Sequence, residues 1–448
     1  MELVSYSGYP LIGETNLPGD KSLSHRAALF AALAHGESLI ENFLVAGVTQ
    51  AMLNALSALG VAWELDGTLL CVNGQGLGGL QSPKEALNCG HSATTLRLLA
   101  GALAAAGVAA VLDGSPGLRS RPMGRIVEPL RAMGVEIEAT GAGTAPLKLA
   151  ARPAGRFLEP LVYTLPVASA QVKTCLLLAA LAAREATVLN EPGPSRDHTE
   201  RMLRSMGVRV ESTVVPSGSL QPEAYATTLL PSHPVSLTPM RLALPGDISA
   251  AAFLIVAALI SPGSEVVLRS VGLNPFRTGL LDALQAMGAD IQVANPSEVS
   301  GEPVGDIIVR HSQLRGADIS GALVVRMIDE FPAFAVAASF AQGVTTVRDA
   351  AELRLKESDR ISAICQELRA LGVQINETPD GFIVQGGRPL HGGAVQVHGD
   401  HRLAMALAVA GLAAQEPVVV QNAEIIAESF PGFVSTLHAL GVNVNSNP

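Results

Sequence analysis

One phrase, L-x-x-[LM]-G-[VA], returns six times along the 448-residue chain. The copies end at Val61, Val135, Val208, Ala289, Val373 and Val442. Their glycines, Gly60, Gly134, Gly207, Gly288, Gly372 and Gly441, lie 69 to 84 residues apart. Each copy closes an apolar periodic stretch and precedes a short alternating run such as VEIEA or VQINE. That order predicts a helix, a glycine at its C-terminal end, then a strand. The period exceeds that of common solenoid repeats, about 20–45 residues, so each repeat is a complete α/β unit.

The upstream half of each repeat also matches. A polar or glycine-containing phrase opens an Ala/Leu-rich helix: GDKSLSHRAALFAALA, GHSATTLRLLAGALAAAG, ASAQVKTCLLLAALAA, GDISAAAFLIVAALI, IDEFPAFAVAASFA and GDHRLAMALAVAGLAA. Ser, Thr and Asp at these openings suit N-caps. The helices are apolar all round, which predicts burial on every side. LPGD occurs at 17–20 and again at 244–247, opening repeats one and four. The chain therefore divides into two similar lobes of three repeats. The N-terminal lobe is expected over 20–243, and the C-terminal lobe over 1–19 plus 244–448. Hinge crossings are expected near 17–20 and 243–247. The Pro/Ser-rich stretch 215–240 reads as a linker or irregular edge.

Composition narrows the function. Hydrophobic residues make up 48% of the chain and aromatics only 4%, as in an α/β protein with a large core. The net charge of −10 argues against a nucleic-acid or anionic-membrane surface, both of which need a basic field. Residues 1–16 lack the charged and apolar regions of a signal peptide, and the Ala-rich run 98–112 is too short to span a bilayer. Cys71, Cys89, Cys175 and Cys365 are scattered with no C-x-x-C, which suits a reduced cytoplasmic protein and argues against a zinc site.

Helix N-termini collect positive potential and free N–H groups, so three similar openings per lobe form a ready anion site. The cations follow the openings. Of five lysines, Lys21, Lys173 and Lys356 lie at an opening or in one conspicuous loop. Arg26, Arg97, Arg121, Arg196, Arg360 and Arg402 occupy comparable places. Carboxylates gather in repeat five, at Asp329 and Glu330 and in AELRLKESDR, which holds Lys356 and Glu357. A carboxyl among cations and apolar walls can be tuned for proton transfer. GETNLPGDKS is no Walker A loop, since Asp20 separates Gly19 from Lys21. His91 and His401 open helices two and six and receive no acid–base role.

The phrases PGDKSLSHR, GHSATTLRLL, RSRPMGRIVEPL, ASAQVKTCLLLA, SRDHTERML, PGDISAAAF, GLNPFRTG, IDEFP, ELRLKESDRI, GDHRLAMA and AESFPGF occur in that order. Together they resemble the 5-enolpyruvylshikimate-3-phosphate synthases across essentially the whole chain. The resemblance implies the enolpyruvyl transferase fold, an inside-out α/β barrel in two lobes. It also implies transfer of the enolpyruvyl group of phosphoenolpyruvate to the 5-hydroxyl of shikimate 3-phosphate, with no metal or organic cofactor. It implies a cytoplasmic monomer that closes on its substrates. Both substrates carry a phosphate and a carboxylate, and Arg with helix termini suits four anionic groups.

By motif position the resemblance places Lys21, Ser22, Arg26, Ser169, Ala170, Gln171, Arg196, Asp329 and Lys356 on shikimate 3-phosphate, with Ser169 at its phosphate. It places Lys21, Ala93, Arg97, Arg121, Gln171, Arg360 and Arg402 on phosphoenolpyruvate. The catalytic set is Lys21, Asp329, Lys356 and Glu357. Glu357 serves the methylene carbon, Asp329 the attacking hydroxyl, and Lys356 supplies charge.

Two departures bear on the inhibitor glyphosate and on the carboxylate contact. Most members read Asn-Ala-Gly or Asn-Ser-Gly where this chain has His91-Ser92-Ala93. Ala at that position is associated with weak glyphosate binding, so tolerance is expected. Glu428 stands where some members carry a Lys that helps bind the phosphoenolpyruvate carboxylate. The nearest rival is the sister enzyme acting on UDP-N-acetylglucosamine, which usually has a catalytic Cys in a loop of the first lobe. The comparable DGSPGLRSRPM has none. A non-enzymatic α/β-repeat clamp on nucleic acid is opposed by the net charge and by Asp329 and Glu357.

Overall fold

The computed structural model describes residues 1–215 and 224–447. The six openings form six helices: α1 (Lys21–Leu33), α2 (Ala93–Ala106), α3 (Ala170–Ala180), α4 (Ile248–Ile260), α5 (Phe331–Phe340) and α6 (His401–Gly411). Asp20, Ser92, Ser169, Asp247 and Asp400 cap five of them through the side chain. Glu330, at the start of α5, makes no capping bond. The repeated glycines stand after the helix that closes each repeat's second segment, all with φ between +84° and +95°. Only glycine adopts that left-handed conformation at no steric cost, which explains why the phrase is invariant within the chain.

Among the described residues, six four-stranded sheets accompany the helices, all with one strand order. In each, a lead strand pairs parallel with the strand after the opening helix. That strand pairs antiparallel with a third. In repeat one the order is Arg241–Ala243, His35–Glu41, Leu69–Gln75, Ala62–Asp66.

The chain forms two compact units. One comprises Gly19–Leu244 with Val299–Glu302; the other comprises Met1–Pro18, Pro245–Glu298 and the residues from Pro303 onward. Each has its own apolar core. Every residue of α4 is buried, as its unbroken apolar sequence predicts. In the N-terminal unit α2 and α3 cross so closely that a Cβ on Gly101 would lie 2.2 Å from the Cys175 carbonyl oxygen.

The two LPGD phrases mark an exchange of strands. Ile12–Asn16 precedes the first phrase yet pairs with Glu265–Gly272 in the C-terminal unit. Arg241–Ala243 precedes the second phrase yet pairs with His35–Glu41 in the N-terminal unit. The glycines allow close approach: a Cβ at Gly19 would fall 1.7 Å from the Asn42 carbonyl oxygen, and one at Gly246 would lie 3.0 Å from Leu17 Cβ.

The linker or irregular edge expected over 215–240 needs correction at 224–230. Residues 216–223 lie outside the described residues. Arg209–Val215 and Ala224–Leu230 flank them as paired strands of the third sheet, the latter between two neighbours. The Thr-containing alternation AYATTLL carries that strand, and the Pro/Ser content masked it.

Candidate active site

In the N-terminal unit, Asp20 Oδ1 accepts from the Leu23 N–H at 2.9 Å and fixes the first turn of α1. Lys21 and Ser22 occupy that turn, half-buried. Arg196 Nη1 donates to Ser22 Oγ at 3.1 Å, which brings the loop before the helix His198–Ser205 to the same point. Arg26 sits one turn deeper and is only 2% exposed. Its guanidinium donates to Thr199 Oγ1 (2.9 Å), the Ser22 carbonyl (2.9 Å), Thr174 Oγ1 (2.8 Å) and the Ala170 carbonyl (3.4 Å). It therefore ties α1 to the start of α3.

Ser169 caps α3, and Ala170 and Gln171 form its first turn. Arg97 Nη1 donates to Gln171 Oε1 at 2.6 Å, while Gln171 Nε2 donates to Thr94 Oγ1 at 2.9 Å. Each partner fixes the other's orientation. Arg97 Nη2 also donates to the Pro122 carbonyl at 3.1 Å, beside Arg121 in the chain. Ala93 is the first residue of α2 and is 3% exposed. His91, without a role from sequence, shares a 3.0 Å hydrogen bond with Ser115, the cap of the short helix Pro116–Arg119.

Two residues here depart from the sequence reading. Lys173 does not join the cations at the openings. Its ammonium is buried, 2.7 Å from both Glu191 Oε1 and Glu200 Oε1, because position 173 points into the unit's core one turn past the α3 opening. His25 was overlooked. Its Nδ1 donates to the Lys21 carbonyl at 2.8 Å, since a carbonyl only accepts. Nε2 must then accept from Ser92 Oγ at 3.1 Å, so His25 joins the starts of α1 and α2. Burial pulls its pKa down to about 4 and the Lys21 and Arg26 charges add to this, against the opposing carbonyl bond, so it is neutral at pH 7.

In the C-terminal unit, Arg360 is the hub and is 3% exposed. Its Nε donates to Asp400 Oδ2 and its Nη2 to Glu357 Oε2, both at 2.6 Å. Asp329 Oδ1 lies 3.5 Å from Arg360 Nη1 and 3.6 Å from Lys356 Nζ. Among the described residues, Nη1 is buried without a hydrogen-bond partner. Asp400 is fully buried and caps α6 by accepting from the Arg402 N–H at 2.9 Å, so one carboxylate places both arginines. Burial works to raise the Asp400 pKa, and Glu357 adds to it, but the Arg360 charge and hydrogen bond together with His401 hold the carboxyl below its usual range. Burial works against the Arg360 charge, yet Asp400, Glu357 and Asp329 together raise its pKa. Asp400 was legible only as a helix cap, the counterpart of Asp20 and Asp247; its second bond depends on the fold.

Asp329, Lys356 and Glu357 are thus one cluster around the fixed Arg360 guanidinium, and Arg402 joins it through its backbone N–H on Asp400. Glu428 ends the helical turn Ala423–Glu428. Among the described residues, no group of His, Cys, Asp and Glu is arranged to hold a metal ion, and no helix is long and apolar enough to cross a membrane.

Comparison with known proteins places these observations. The family model described as EPSP synthase (3-phosphoshikimate 1-carboxyvinyltransferase) matches residues 6–437. A 3-phosphoshikimate 1-carboxyvinyltransferase of Citrifermentans bemidjiense is 48% identical over 429 residues, covering 96% of each chain. One from Geobacter sulfurreducens is 46% identical over 444 residues, covering 98% of this chain and all of its own. An EPSP synthase structure from Acinetobacter baumannii superposes with TM-score 0.85 at 39% identity, covering 99% of this chain and 100% of that one. The enolpyruvyl transferase NikO from Streptomyces tendae, at 20% identity and TM-score 0.76 over 99% of this chain and 98% of its own, shares the fold.

Proposed function

The chain belongs to the EPSP synthase family, the 3-phosphoshikimate 1-carboxyvinyltransferases, and from that premise we propose how its residues divide the reaction. Family membership supports enolpyruvyl transfer from phosphoenolpyruvate to shikimate 3-phosphate. Lys21, Ser22, Arg26, Ser169, Ala170, Gln171 and Arg196 bind shikimate 3-phosphate, with Asp329 and Lys356. Arg26 works from the buried side, through the Ser22 and Ala170 carbonyls it holds. Lys21, Ala93, Gln171, Arg97, Arg121, Arg360 and Arg402 receive phosphoenolpyruvate.

The observation that carries this reading is the Arg360 cluster. Asp400 and Glu357 hold the guanidinium in place, while Nη1 retains hydrogen-bonding capacity for an anionic ligand. Preorganised cations of this kind stabilise an anion without reorganising when it arrives. Glu357 protonates the methylene carbon of phosphoenolpyruvate, which makes the adjacent carbon electrophilic. Asp329 takes the proton of the 5-hydroxyl as it attacks, and Lys356 balances the charge. The adduct then expels phosphate as Glu357 takes the proton back. Each general acid or base contributes about 10²–10⁴-fold.

Tolerance to glyphosate follows from Ala93 if its methyl crowds the longer inhibitor more than the substrate. The chain works as a cytoplasmic monomer, with hinges near 17–20 and 243–247 that close on the substrates and exclude water. The test is phosphate release. It should require phosphoenolpyruvate and shikimate 3-phosphate together, and UDP-N-acetylglucosamine should not replace the acceptor. Release with UDP-N-acetylglucosamine alone as acceptor would overturn the reading, as would near-normal turnover in Glu357→Ala.

A further inference from the structure

The second LPGD phrase carries Ile248 where the first carries Lys21, and its helix opening is buried. Ser249, the next residue, is 1% exposed and stands where α1 has Ser22. Its hydroxyl lies between a cation and an anion. Arg277 Nη2 donates to Ser249 Oγ at 2.8 Å, and Ser249 Oγ donates to Glu330 Oε1. The direction is fixed, since a guanidinium cannot accept and a carboxylate cannot donate. Arg277 Nη2 also reaches Asp247 Oδ1, the cap of α4, at 3.2 Å. Arg277 and Glu330 are 2% and 1% exposed, so the relay has little access to water.

Glu330 is the immediate neighbour of Asp329. It starts α5 but makes no capping bond there; its side chain turns back to α4 instead. Asp329 pairs with a different set, Lys356 and Arg360. The two are adjacent on one backbone segment, so where Glu330 is held bears on where Asp329 is carried. We propose that Glu330 is a positioning residue for Asp329, held by the Arg277–Ser249 relay that the second LPGD phrase supplies. The proposal rests on the reading of Asp329 as the base for the 5-hydroxyl.

The test compares Glu330→Gln, Ser249→Ala, their double variant and Asp329→Asn, assayed at a temperature where circular dichroism shows each fully folded. Ser249→Ala removes a single oxygen and is the variant that most safely folds. A displaced base costs turnover rather than affinity. The expected result is a kcat lower by about 10–100-fold in Glu330→Gln and Ser249→Ala, with both KM values within about threefold of wild type. The double variant should be no worse than the worse single, because both break one relay. A kcat within twofold of wild type in both singles, beside an impaired Asp329→Asn, would overturn the positioning role and leave the base assignment standing. Losses that multiply in the double variant would also overturn it. Normal turnover in Asp329→Asn would refute the base assignment itself, and the inference with it.

Discussion

Lys173→Met should reveal how much of the N-terminal unit depends on one buried charge. Lys173 pairs with two carboxylates at 2.7 Å and also donates to the Ser195 carbonyl at 3.3 Å. Glu191 and Glu200 are each 2% exposed or less, and Ser195 Oγ donates to Glu191. Removing the cation leaves two buried carboxylates without a counter-charge. Breaking a buried pair costs about 3–5 kcal/mol, a large part of a typical total stability of about 5–15 kcal/mol. At about 2–4 °C per kcal/mol for a unit of this size, the midpoint should fall by roughly 6–20 °C.

The pH dependence gives a second signature. In the wild type the two carboxylates raise the Lys173 pKa against the opposing effect of burial. Its contribution is therefore complete below about 10.4, the unfolded lysine value, and is lost only at still higher pH. From pH 5 to 8 that contribution is flat. Adding Glu191→Gln and Glu200→Gln should recover most of the loss, because no buried charge is then left stranded. Thermal unfolding followed by circular dichroism measures both. A midpoint within about 2 °C of wild type, or a triple variant no more stable than Lys173→Met, would refute the reasoning.

The two LPGD helices should respond differently: Lys21→Ala should cut turnover by about 10²-fold or more, whereas Ile248→Ala should chiefly cost about 2–5 kcal/mol of stability, read by steady-state kinetics and denaturant melts. Ala93→Gly should lower the glyphosate concentration that halves activity; an unchanged value would refute the steric account. Gly101→Ala forces α2 away from the Cys175 carbonyl and should destabilise by about 1–3 kcal/mol or more, seen as a lower urea midpoint. Asp400, with its depressed pKa, contributes stability above about 3.9 that disappears as pH falls through the folded value. The melting difference between wild type and Asp400→Asn should therefore hold from pH 8 to 5 and shrink below about 4.

What could be read from sequence was whatever repeats or sits at a helix end. The six glycines specified the helix–strand junctions because a left-handed residue leaves little choice of side chain. The apolar openings specified buried helices because no polar face was available to turn outward. Partners distant in the chain were not legible. Nothing local shows that Lys173 serves two glutamates, that Asp400 holds Arg360 across 40 residues, or that His25 reaches Ser92. Helical phase explains the Lys173 error: residues 169–171 sit at the mouth of α3, while 173 turns inward. The strand at 224–230 was missed because its neighbours' composition outweighed its own alternation.

The exchange of lead strands sets an order of events during synthesis. Residues 19–244 contain all four strands of each of their three sheets, so the ribosome delivers that unit's sheets complete as one stretch. The other unit cannot finish early. Its strands Glu2–Ser5 and Ile12–Asn16 are made first, yet their partners lie at Val418–Gln421, Val444–Asn447 and Glu265–Gly272. At about 5–20 residues per second, Ile12–Asn16 waits roughly 12–50 s for its neighbour. Throughout that interval it presents an unpaired edge that other chains could capture. A gene split after Leu244 should therefore yield a first fragment with every strand its sheets need, and a second fragment lacking two.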